Sequence, residues 1–406
     1  MPTNTHVLIS GASIAGPALA YWLAQRGYTP TIVERAPAPR PGGQTVDLRG
    51  AGRTVIERMG LMDRAREVSL DQRGFALVNQ AGRIMARVPE DAFGGEGIIS
   101  EIEILRGDLG QVLYEATLPS TEYLFNDTIT SIKQDDDGVD VTFENAPPRR
   151  FAFVIGADGL HSVVRSLAFG PEADYLRSID CYTAWFTTPA GGDLDGWFLM
   201  FNAPGGLVVS VRPGRLPHEN KAGLSFRSAP ISYDRRNVEQ QKEILAQRFA
   251  GLGWKTPDLL ASMHDASDFF FDSMGQVRMG SWSSGRVALL GDAGYCPTPL
   301  TGLGTSLALV GAYVLAGELA SVRGNHQAAF GRYEEIMRPY VSNGQQLPPG
   351  GIGGYAPNSA LAIRLRAASM NWMTRWPMKS LVAKQFTKAG DVILPDYSSA
   401  VASSSR

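Results

Sequence analysis

The sequence has little cysteine, little charge and no long basic segment. Only Cys181 and Cys296 occur in 406 residues, without a Cys-x-x-Cys spacing, which excludes a disulfide framework and a cysteine-based zinc site. Charged residues make up 19% of the chain and the formal net charge is -2, so we expect no nucleic-acid partner. The first residues lack the basic segment of a signal peptide, and we therefore expect a cytoplasmic protein.

One segment without charges resembles a membrane span. Residues 293–317 contain no charged side chain, but Pro297, Pro299, Gly302 and Gly304 interrupt the first half. The part that remains for an uninterrupted helix is shorter than the ~20 residues that a bilayer requires. We therefore predict a buried core helix and no membrane partner.

A first glycine-rich turn, GASIAG, occupies residues 11–16. It follows an apolar run of strand length and precedes a helix-forming stretch, and a second strand then ends at Glu34. Such a turn lets backbone N–H groups at a helix N-terminus approach a pyrophosphate, while the acidic residue accepts hydrogen bonds from a ribose. The predicted cofactor-binding residues are Gly11, Ser13, Ile14, Ala15, Gly16 and Glu34. Ser13 replaces the usual middle glycine, and a purely structural turn is the alternative.

Two further turns follow buried strands. FAFVIGADGLHSVVR (151–165) leads into an Asp-Gly turn with Asp158 and Arg165, for which a solvated turn is the alternative. GRVALLGDAG (285–294) likewise leads from a buried strand into a turn, at Gly291 and Asp292. PTPLTGLGTS then precedes a helix predicted over 305–319. The candidate residues of this third motif are Gly291, Asp292, Pro299, Gly302, Leu303 and Gly304. Two glycine turns can hold two ends of one long cofactor, with Asp292 accepting from ribityl hydroxyls and the helix dipole facing a flavin ring.

Together these motifs resemble the class A FAD-dependent monooxygenases of the para-hydroxybenzoate hydroxylase type, including compact tetracycline-modifying and polyketide hydroxylase members. The likeness runs from Val7 to about Tyr340. It implies bound FAD, NAD(P)H as a transient reductant, and oxygen transfer through a flavin hydroperoxide to an aromatic ring or, less often, beside a ketone. It adds Arg35 and Arg106 to the cofactor-binding residues, although a surface arginine at a helix start is the alternative for Arg106. The sequence departs from the family at Tyr295, Ser306 and Gly311.

The order of the elements predicts an α/β protein with a doubly wound, Rossmann-like FAD-binding domain. That domain is expected to combine residues 1–70, 100–172 and 280–342. Residues 71–99 and 173–279 show alternating and aromatic runs separated by turns, which predicts a mainly antiparallel substrate domain. By resemblance, residues 343–406 form a C-terminal bridging helix and tail, with PPGGIGGYAP (348–357) predicted as a loop before that helix. We expect a monomer or a weak homodimer.

The sequence indicates the substrate-binding residues less clearly than the cofactor site. Aromatic and apolar residues of the second domain are candidates for the substrate wall, with ordinary core packing as the alternative. The candidates are Tyr182, Trp185, Met200, Phe226 and Phe271. Arg53, in a glycine-rich loop, is a further candidate for contact with the cofactor, and an ordinary turn is equally consistent with its position.

The sequence identifies no catalytic base and no metal site. His161 is interpreted as a turn residue, and Cys296 as inert packing. A flavin-dependent oxidoreductase without oxygen insertion, or a flavin-retaining protein that binds or cyclises a ligand without redox chemistry, remains an alternative to the hydroxylase.

Overall fold

A six-stranded sheet forms the centre of the first domain in the computed structural model, which describes residues 4–93, 100–322, 325–375 and 392–397. The strands are β1 (His6–Ser10), β2 (Thr29–Glu34), β7 (Glu122–Phe125), β11 (Phe153–Gly156), β17 (Ser283–Ser284) and β18 (Val287–Leu289). Their order in the sheet is β17-β18-β11-β1-β2-β7, and every neighbouring pair is parallel except β17 with β18. Since parallel strands must be covered on both faces, the central strands β1, β11 and β18 are mainly apolar and almost all buried.

Helices cover this sheet. They are α1 (Ala15–Ala24), α2 (Gly50–Arg58), α3 (Met62–Glu67), α4 (Arg106–Thr117), α5 (Val163–Ala168), α8 (Asp292–Tyr295), α9 (Gly304–Ser321) and α10 (His326–Gly344). Helix α9 matches the helix predicted from residue 305 and packs against α1, α2 and α10. It is long and apolar enough to cross a membrane, but 83% of it is buried inside the protein, as expected of a core helix.

A seven-stranded sheet forms the second domain, in the order β16-β12-β15-β14-β13-β4-β5. The strands are β4 (Gly74–Val78), β5 (Ile84–Pro89), β12 (Leu176–Thr188), β13 (Trp197–Ala203), β14 (Leu207–Pro213), β15 (Asn220–Arg227) and β16 (Phe270–Val277). Only the β13–β4 pair is parallel among these neighbours. Helices α6 (Val238–Arg248) and α7 (Thr256–Met263) cover one side of this sheet. The mixed α/β fold with a Rossmann-like domain is therefore confirmed.

Two small sheets complete the described strands. One contains β8 (Ile129–Gln134), β9 (Val139–Phe143) and β10 (Arg149–Phe151), and the other pairs β3 (Thr45–Asp47) with β6 (Glu103–Leu105). Short 3-10 turns occupy Glu90–Phe93, Glu172–Asp174 and Pro299–Thr301. The β3–β6 ribbon contacts both domains, because Thr45 and Glu103 accept from Arg212 of β14 while β3 packs against α9. Strand β6 runs directly into α4.

The C-terminal part differs from the sequence prediction in one respect. The segment predicted as a loop at 348–357 contains a short helix, α11 (Gly351–Tyr355), before α12 (Ala360–Met373). Helix α12 packs against β5 and β13 of the seven-stranded sheet. Residues 392–397 return to the first domain, where Tyr397 is buried and donates to Glu318 at 2.6 Å. The remainder of the predicted tail, 376–391 and 398–406, lies outside the described residues.

Candidate functional site: a groove at the strand ends

The first glycine turn is tight enough to require glycine at both ends. Gly11 has φ +107°, and a Cβ there would lie 2.4 Å from the Ala157 carbonyl oxygen at the end of β11. A Cβ on Gly16 would lie 1.9 Å from the Gly11 carbonyl oxygen. The turn is thus pressed between β1, β11 and the start of α1, which leaves the N-terminus of α1 at the carboxyl edge of the parallel sheet. A ligand is expected at that edge in open α/β sheets.

A pocket adjoins this turn. It is lined by Ala12, Ser13, Glu34, Ala38, Pro39, Arg40, Arg106, Gly107 and Gly110. Glu34 is buried and holds the turn, because its Oε2 accepts from the Ala12 N–H at 2.9 Å and its Oε1 from the Ala36 N–H at 3.0 Å. The acidic residue expected to meet a ribose therefore lies at the pocket wall and is oriented by the turn itself.

Arg106 reaches the same pocket from the first position of α4. Its Nη1 donates to Ser13 Oγ at 2.9 Å, so the serine that replaces a glycine in the motif orients an arginine. Burial and the neighbouring Arg40 lower the pKa of Arg106 to about 10, and Glu34 partly offsets this. Two guanidinium groups at the N-terminus of a helix form a positive site for a phosphate. Sequence reasoning missed Arg40, which follows the motif in a proline-rich loop without a distinct pattern.

The two predicted residues of the second motif, Asp158 and Arg165, form hydrogen bonds with other groups of the protein. Asp158 accepts from Ser162 Oγ at 2.5 Å and from the Val163 N–H at 2.8 Å, and so caps α5. Arg165 is fully buried and donates to the carbonyl oxygens of Leu160 and Ala293 at 2.6 and 2.8 Å. Because Ala293 belongs to the third motif, Arg165 ties the second motif to the third. Its described contacts give it a positioning role in place of the direct cofactor contact that was predicted.

The third motif faces a groove. Asp292 is exposed, and desolvation by the protein packed around it raises the pKa of its carboxyl. A Cβ added to Gly304 at the start of α9 would lie 3.8 Å from Asp292 Oδ1, which places the carboxylate beside the helix N-terminus. The first motif comes close as well, since a Cβ on Gly291 would lie 3.3 Å from the Cβ of Ala15. Two glycine turns distant in sequence thus lie side by side in the fold, and the two-ended cofactor hypothesis requires that they be close.

The turn between Asp292 and α9 contains two residues with positive φ angles. Gly302 has φ +66° and Thr298 has φ +80°, which is unusual for a β-branched residue. Thr298 is buried, and its Oγ1 has no hydrogen-bond partner among the described residues. A buried hydroxyl without a partner and a groove-facing carboxylate are what a ligand rich in hydroxyl groups would complete. Pro299 and Leu303 lie in the same turn, where Pro299 is exposed and Leu303 is half-buried. These residues fit the ribityl and ring end of FAD.

Two predicted arginines lie apart from this groove. Arg35 is exposed at the end of β2 and does not line the pocket beside Glu34. Arg53, in α2, pairs with Glu57 at 3.3 Å and with Glu101 at 2.9 Å. The structure therefore gives Arg53 acidic partners on the protein surface, and its predicted contact with a cofactor stays a prediction.

Four of the five predicted substrate-wall residues are core residues, which is a correction. Tyr182, Phe226 and Phe271 stack on one another at ring-centroid distances of 5.4 to 6.3 Å, on the side of the sheet covered by α6 and α7. Met200 points to the other side but is buried under α12, where its Sδ accepts from Arg366. Successive side chains of a strand point to opposite faces of the sheet, so Tyr182 and Trp185 of the same strand β12 lie on opposite sides.

Trp185 lies on the side of the sheet opposite to α6 and α7, which we call the cofactor-facing side. It is partly buried and stacks on Phe270 at 5.7 Å with an interplanar angle of 15°. A Cβ on Gly223 would lie 3.3 Å from Trp185 Cδ1 and 2.5 Å from Ser210 Oγ, so the absence of a side chain there leaves the indole and the hydroxyl close together. Trp185 remains the predicted wall residue with the most suitable position.

His161 has partners that sequence reasoning missed. Its Nδ1 lies 2.7 Å from Glu172 and its Nε2 lies 2.7 Å from Asp272 of β16. Burial lowers the pKa of His161, but the hydrogen bonds and charges of Asp272 and Glu172 outweigh it and raise the pKa to about 9. Arg235 completes the group, 3.0 Å from Glu172 and 2.9 Å from Nδ1. His161 lies in a turn, as predicted, and its contacts show that it also joins the first domain to the second. Cys296, by contrast, is buried, and burial raises the pKa of its thiol, so an inert role is consistent with its surroundings.

A second interdomain group, also missed, surrounds Glu103. Arg212 of β14 crosses from the cofactor-facing side of the seven-stranded sheet and donates to Glu103, to Thr45 and, at 2.7 Å, to Gln72. Its guanidinium lies 4.4 Å from the ring centroid of Phe198. Glu103 faces Asp47 directly across the β3–β6 ribbon. No sequence spacing connects residues 103 and 212, so only the folded chain could show this contact.

Comparison with known proteins places these features in a family. A family model described as "FAD binding domain" matches residues 4–343. An uncharacterised protein of Mycobacterium tuberculosis is 45% identical over 352 residues, covering 86% of this chain and 94% of that protein. A flavin-dependent monooxygenase of Legionella longbeachae is 38% identical over 346 residues, covering 85% and 88%. The crystal structure of the tetracycline destructase Tet(51) is 33% identical, with a TM-score of 0.82 over 97% of this chain and all of the other.

Proposed function

This chain belongs to the FAD-binding-domain family of flavin-dependent monooxygenases, and from that premise we propose that it hydroxylates an aromatic or polycyclic, polyketide- or antibiotic-like small molecule in the cytoplasm. In this reaction NAD(P)H, a proton, O₂ and the substrate give NAD(P)⁺, water and the hydroxylated product. FAD supplies the two-electron and oxygen chemistry when bound, and the protein supplies binding, orientation and exclusion of water.

We assign a different part of the cofactor to each group of residues at the site. Gly11 and Gly16 let the α1 N-terminus approach the pyrophosphate, and Arg106 and Arg40 add positive charge on the same side. Glu34 would accept from the adenosine ribose. Asp292 would accept from ribityl hydroxyls, and the α9 N-terminus after Gly304 would stabilise negative charge on the ring system. These remaining residues complete the proposed cofactor contacts: Ser13, Ile14, Ala15, Gly291, Pro299, Gly302 and Leu303.

The observation that carries the proposed substrate class is the full-length likeness to Tet(51). That likeness covers the second domain as well as the first, and it is high enough in identity to extend beyond the fold alone. On the cofactor-facing side, Trp185 and Phe270 supply a flat apolar surface, and Ser210 and Arg212 supply polar groups beside it. An aromatic polycycle with several oxygen substituents matches a surface of that composition.

The test begins with the visible spectrum of the purified, FAD-loaded protein. An anaerobic titration with NADPH, and separately with NADH, is recorded with and without a tetracycline. Bleaching of the flavin that is faster with the tetracycline present is expected. Turnover in ¹⁸O₂ should then add one ¹⁸O atom to the product, as measured by mass spectrometry.

Each alternative gives a different result in this experiment. Reduction by NAD(P)H followed by turnover with an artificial electron acceptor, without isotope in the product, would indicate a dehydrogenase or reductase. A flavin that neither nucleotide reduces would contradict the redox proposal altogether. Isotope incorporation only into small simple phenols would contradict the proposed polycyclic substrate and leave the hydroxylase reaction in place.

A further inference from the structure

We propose that Glu103 is a positioning residue, which fixes Arg212 of the substrate-domain sheet against the FAD-binding domain and thereby sets the cofactor-facing side for substrate binding. The proposal rests on the proposed function in so far as a substrate is turned over. Its basis is a buried group of side chains from four separate segments: Asp47 of β3, Gln72 before β4, Glu103 of β6 and Arg212 of β14.

The geometry holds the guanidinium at several points. Arg212 Nη2 donates to Glu103 and Gln72, and Nη1 donates to Thr45. Its Nε is buried and has no hydrogen-bond partner among the described residues. The Phe198 ring lies under the guanidinium plane. An arginine bonded along one edge and stacked on one face has a single orientation, because guanidinium geometry is rigid.

The charges of the group depend on one another. The side chains of Glu103 and Arg212 are only 5% and 13% exposed, so removing either charge leaves the other buried. Burial and the facing Asp47 raise the pKa of Glu103, whereas Arg212 and Arg49 oppose that rise. Asp47 pairs with Arg49 at 3.0 Å. Two carboxyl groups and two guanidinium groups thus share one enclosed space, and the protonation of Glu103 determines how firmly Arg212 is held.

The group also touches both parts of the cofactor groove. Asp47 Oδ2 lies 3.1 Å from the position of a Cβ on Gly302, in the turn of the third motif. The β6 strand that carries Glu103 ends at Leu105, and the next residue is Arg106, which contacts Ser13 of the first motif. One short ribbon therefore links the phosphate end of the groove, the ring end and the substrate-domain sheet. A change at Glu103 should reach the substrate through Arg212 while the cofactor contacts of Arg106 remain.

The test compares Glu103→Gln with the wild type in the FAD-loaded protein. We expect KM for the substrate to rise about tenfold, in line with the loss of one charge-assisted hydrogen bond, while kcat changes less than about twofold. The pH dependence of KM near neutrality should flatten, because the titrating carboxyl is gone. Thr45→Val removes another acceptor of Arg212 without burying an unpaired charge, and it should raise KM in the same direction by a smaller factor. Asp195→Asn is the matched control, since it breaks the exposed pair with Arg73 and should change nothing.

A readout that needs no substrate separates this proposal from the proposed function. Hydrogen–deuterium exchange of residues 207–213 should be faster in Glu103→Gln and Thr45→Val than in the wild type, with unchanged FAD affinity. Failure of the wild type to turn over any polycycle would contradict the proposed function, and the exchange result would still decide the role of Glu103. Unchanged exchange in β14, or a fall in kcat at constant KM, would overturn the positioning role.

Discussion

Tyr295 occupies the space that a side chain at position 311 would need. A Cβ on Gly311 of α9 would lie 2.2 Å from the Tyr295 hydroxyl oxygen. That hydroxyl accepts from Tyr333 at 2.9 Å, in the buried space between α8, α9 and α10. Tyr295 and Gly311 are two of the positions at which the sequence departs from the motifs that it resembles. The two departures are therefore complementary, with a large residue on one helix matched by glycine on another.

Gly311→Ala should lower the free energy of unfolding by about 1–3 kcal/mol, as over-packing of a rigid core does. In a Tyr295→Phe background the cost should be smaller but not zero, because the ring carbon Cζ lies at an ordinary 3.5 Å while Leu290 Cδ1 still lies at 2.9 Å. Gly331→Ala in α10 is the control, since no atom lies within 4 Å of its Cβ position. Chemical denaturation of the wild type, the two single variants, the double variant and the control measures the coupling. Equal costs of Gly311→Ala in both backgrounds would contradict the explanation.

Ser13 is predicted to act through Arg106. Ser13→Ala and Ser13→Gly both remove the acceptor for Arg106 Nη1, and the second restores the more usual glycine pattern. Both variants should weaken FAD binding by about tenfold, because a buried guanidinium loses a charge-assisted hydrogen bond. Quenching of flavin fluorescence on titration into apoprotein measures the affinity. Tighter binding by Ser13→Gly would instead show that the serine is only a tolerated substitute for glycine.

Substitutions on opposite faces of β12 and β15 should separate the core from the substrate wall. Phe226→Ala should destabilise the protein by about 3–5 kcal/mol, because the ring is fully buried among the aromatic residues under α6. Trp185→Ala should destabilise it less and raise KM for the substrate. Thermal denaturation and steady-state kinetics of both variants give the comparison. A larger rise in KM for Phe226→Ala at retained stability would contradict the assignment of faces.

The same strands show how far the sequence could be interpreted. The β1-turn-α1-β2 unit and its acidic end were predictable, because strand, glycine turn, helix and Glu34 lie within a few dozen residues and each depends on local chemistry. Tyr182 and Trp185 could not be separated, since both are aromatic residues in one apolar strand and only the position of α6 and α7 decides which face is core. Arg212 and Glu103 could not be paired either, because their contact joins segments 109 residues apart in the chain.

His161 gives a prediction about pH. Its pKa is about 9 in the folded protein and its ordinary value is 6.5. A histidine with a raised pKa stabilises the fold fully below pH 6.5, and that stabilisation is lost as pH rises through 9. Four charged groups surround the ring. Glu172 and Asp272 attract the protonated ring, and Arg235 and Arg165 pair with Glu172. The free energy of unfolding should therefore fall by up to about 3 kcal/mol between pH 6.5 and 9.

His161→Gln tests this directly in the FAD-loaded protein. The variant keeps a polar side chain between the two carboxylates but cannot change its charge, so its free energy of unfolding should vary less with pH across that interval. His264→Gln, on an exposed residue at the end of α7, should retain the full dependence of the wild type. Urea denaturation at half-unit steps of pH gives all three curves. Parallel curves for the wild type and His161→Gln would mean that the ring does not carry the proton, and that Arg235 alone joins Glu172 to the second domain.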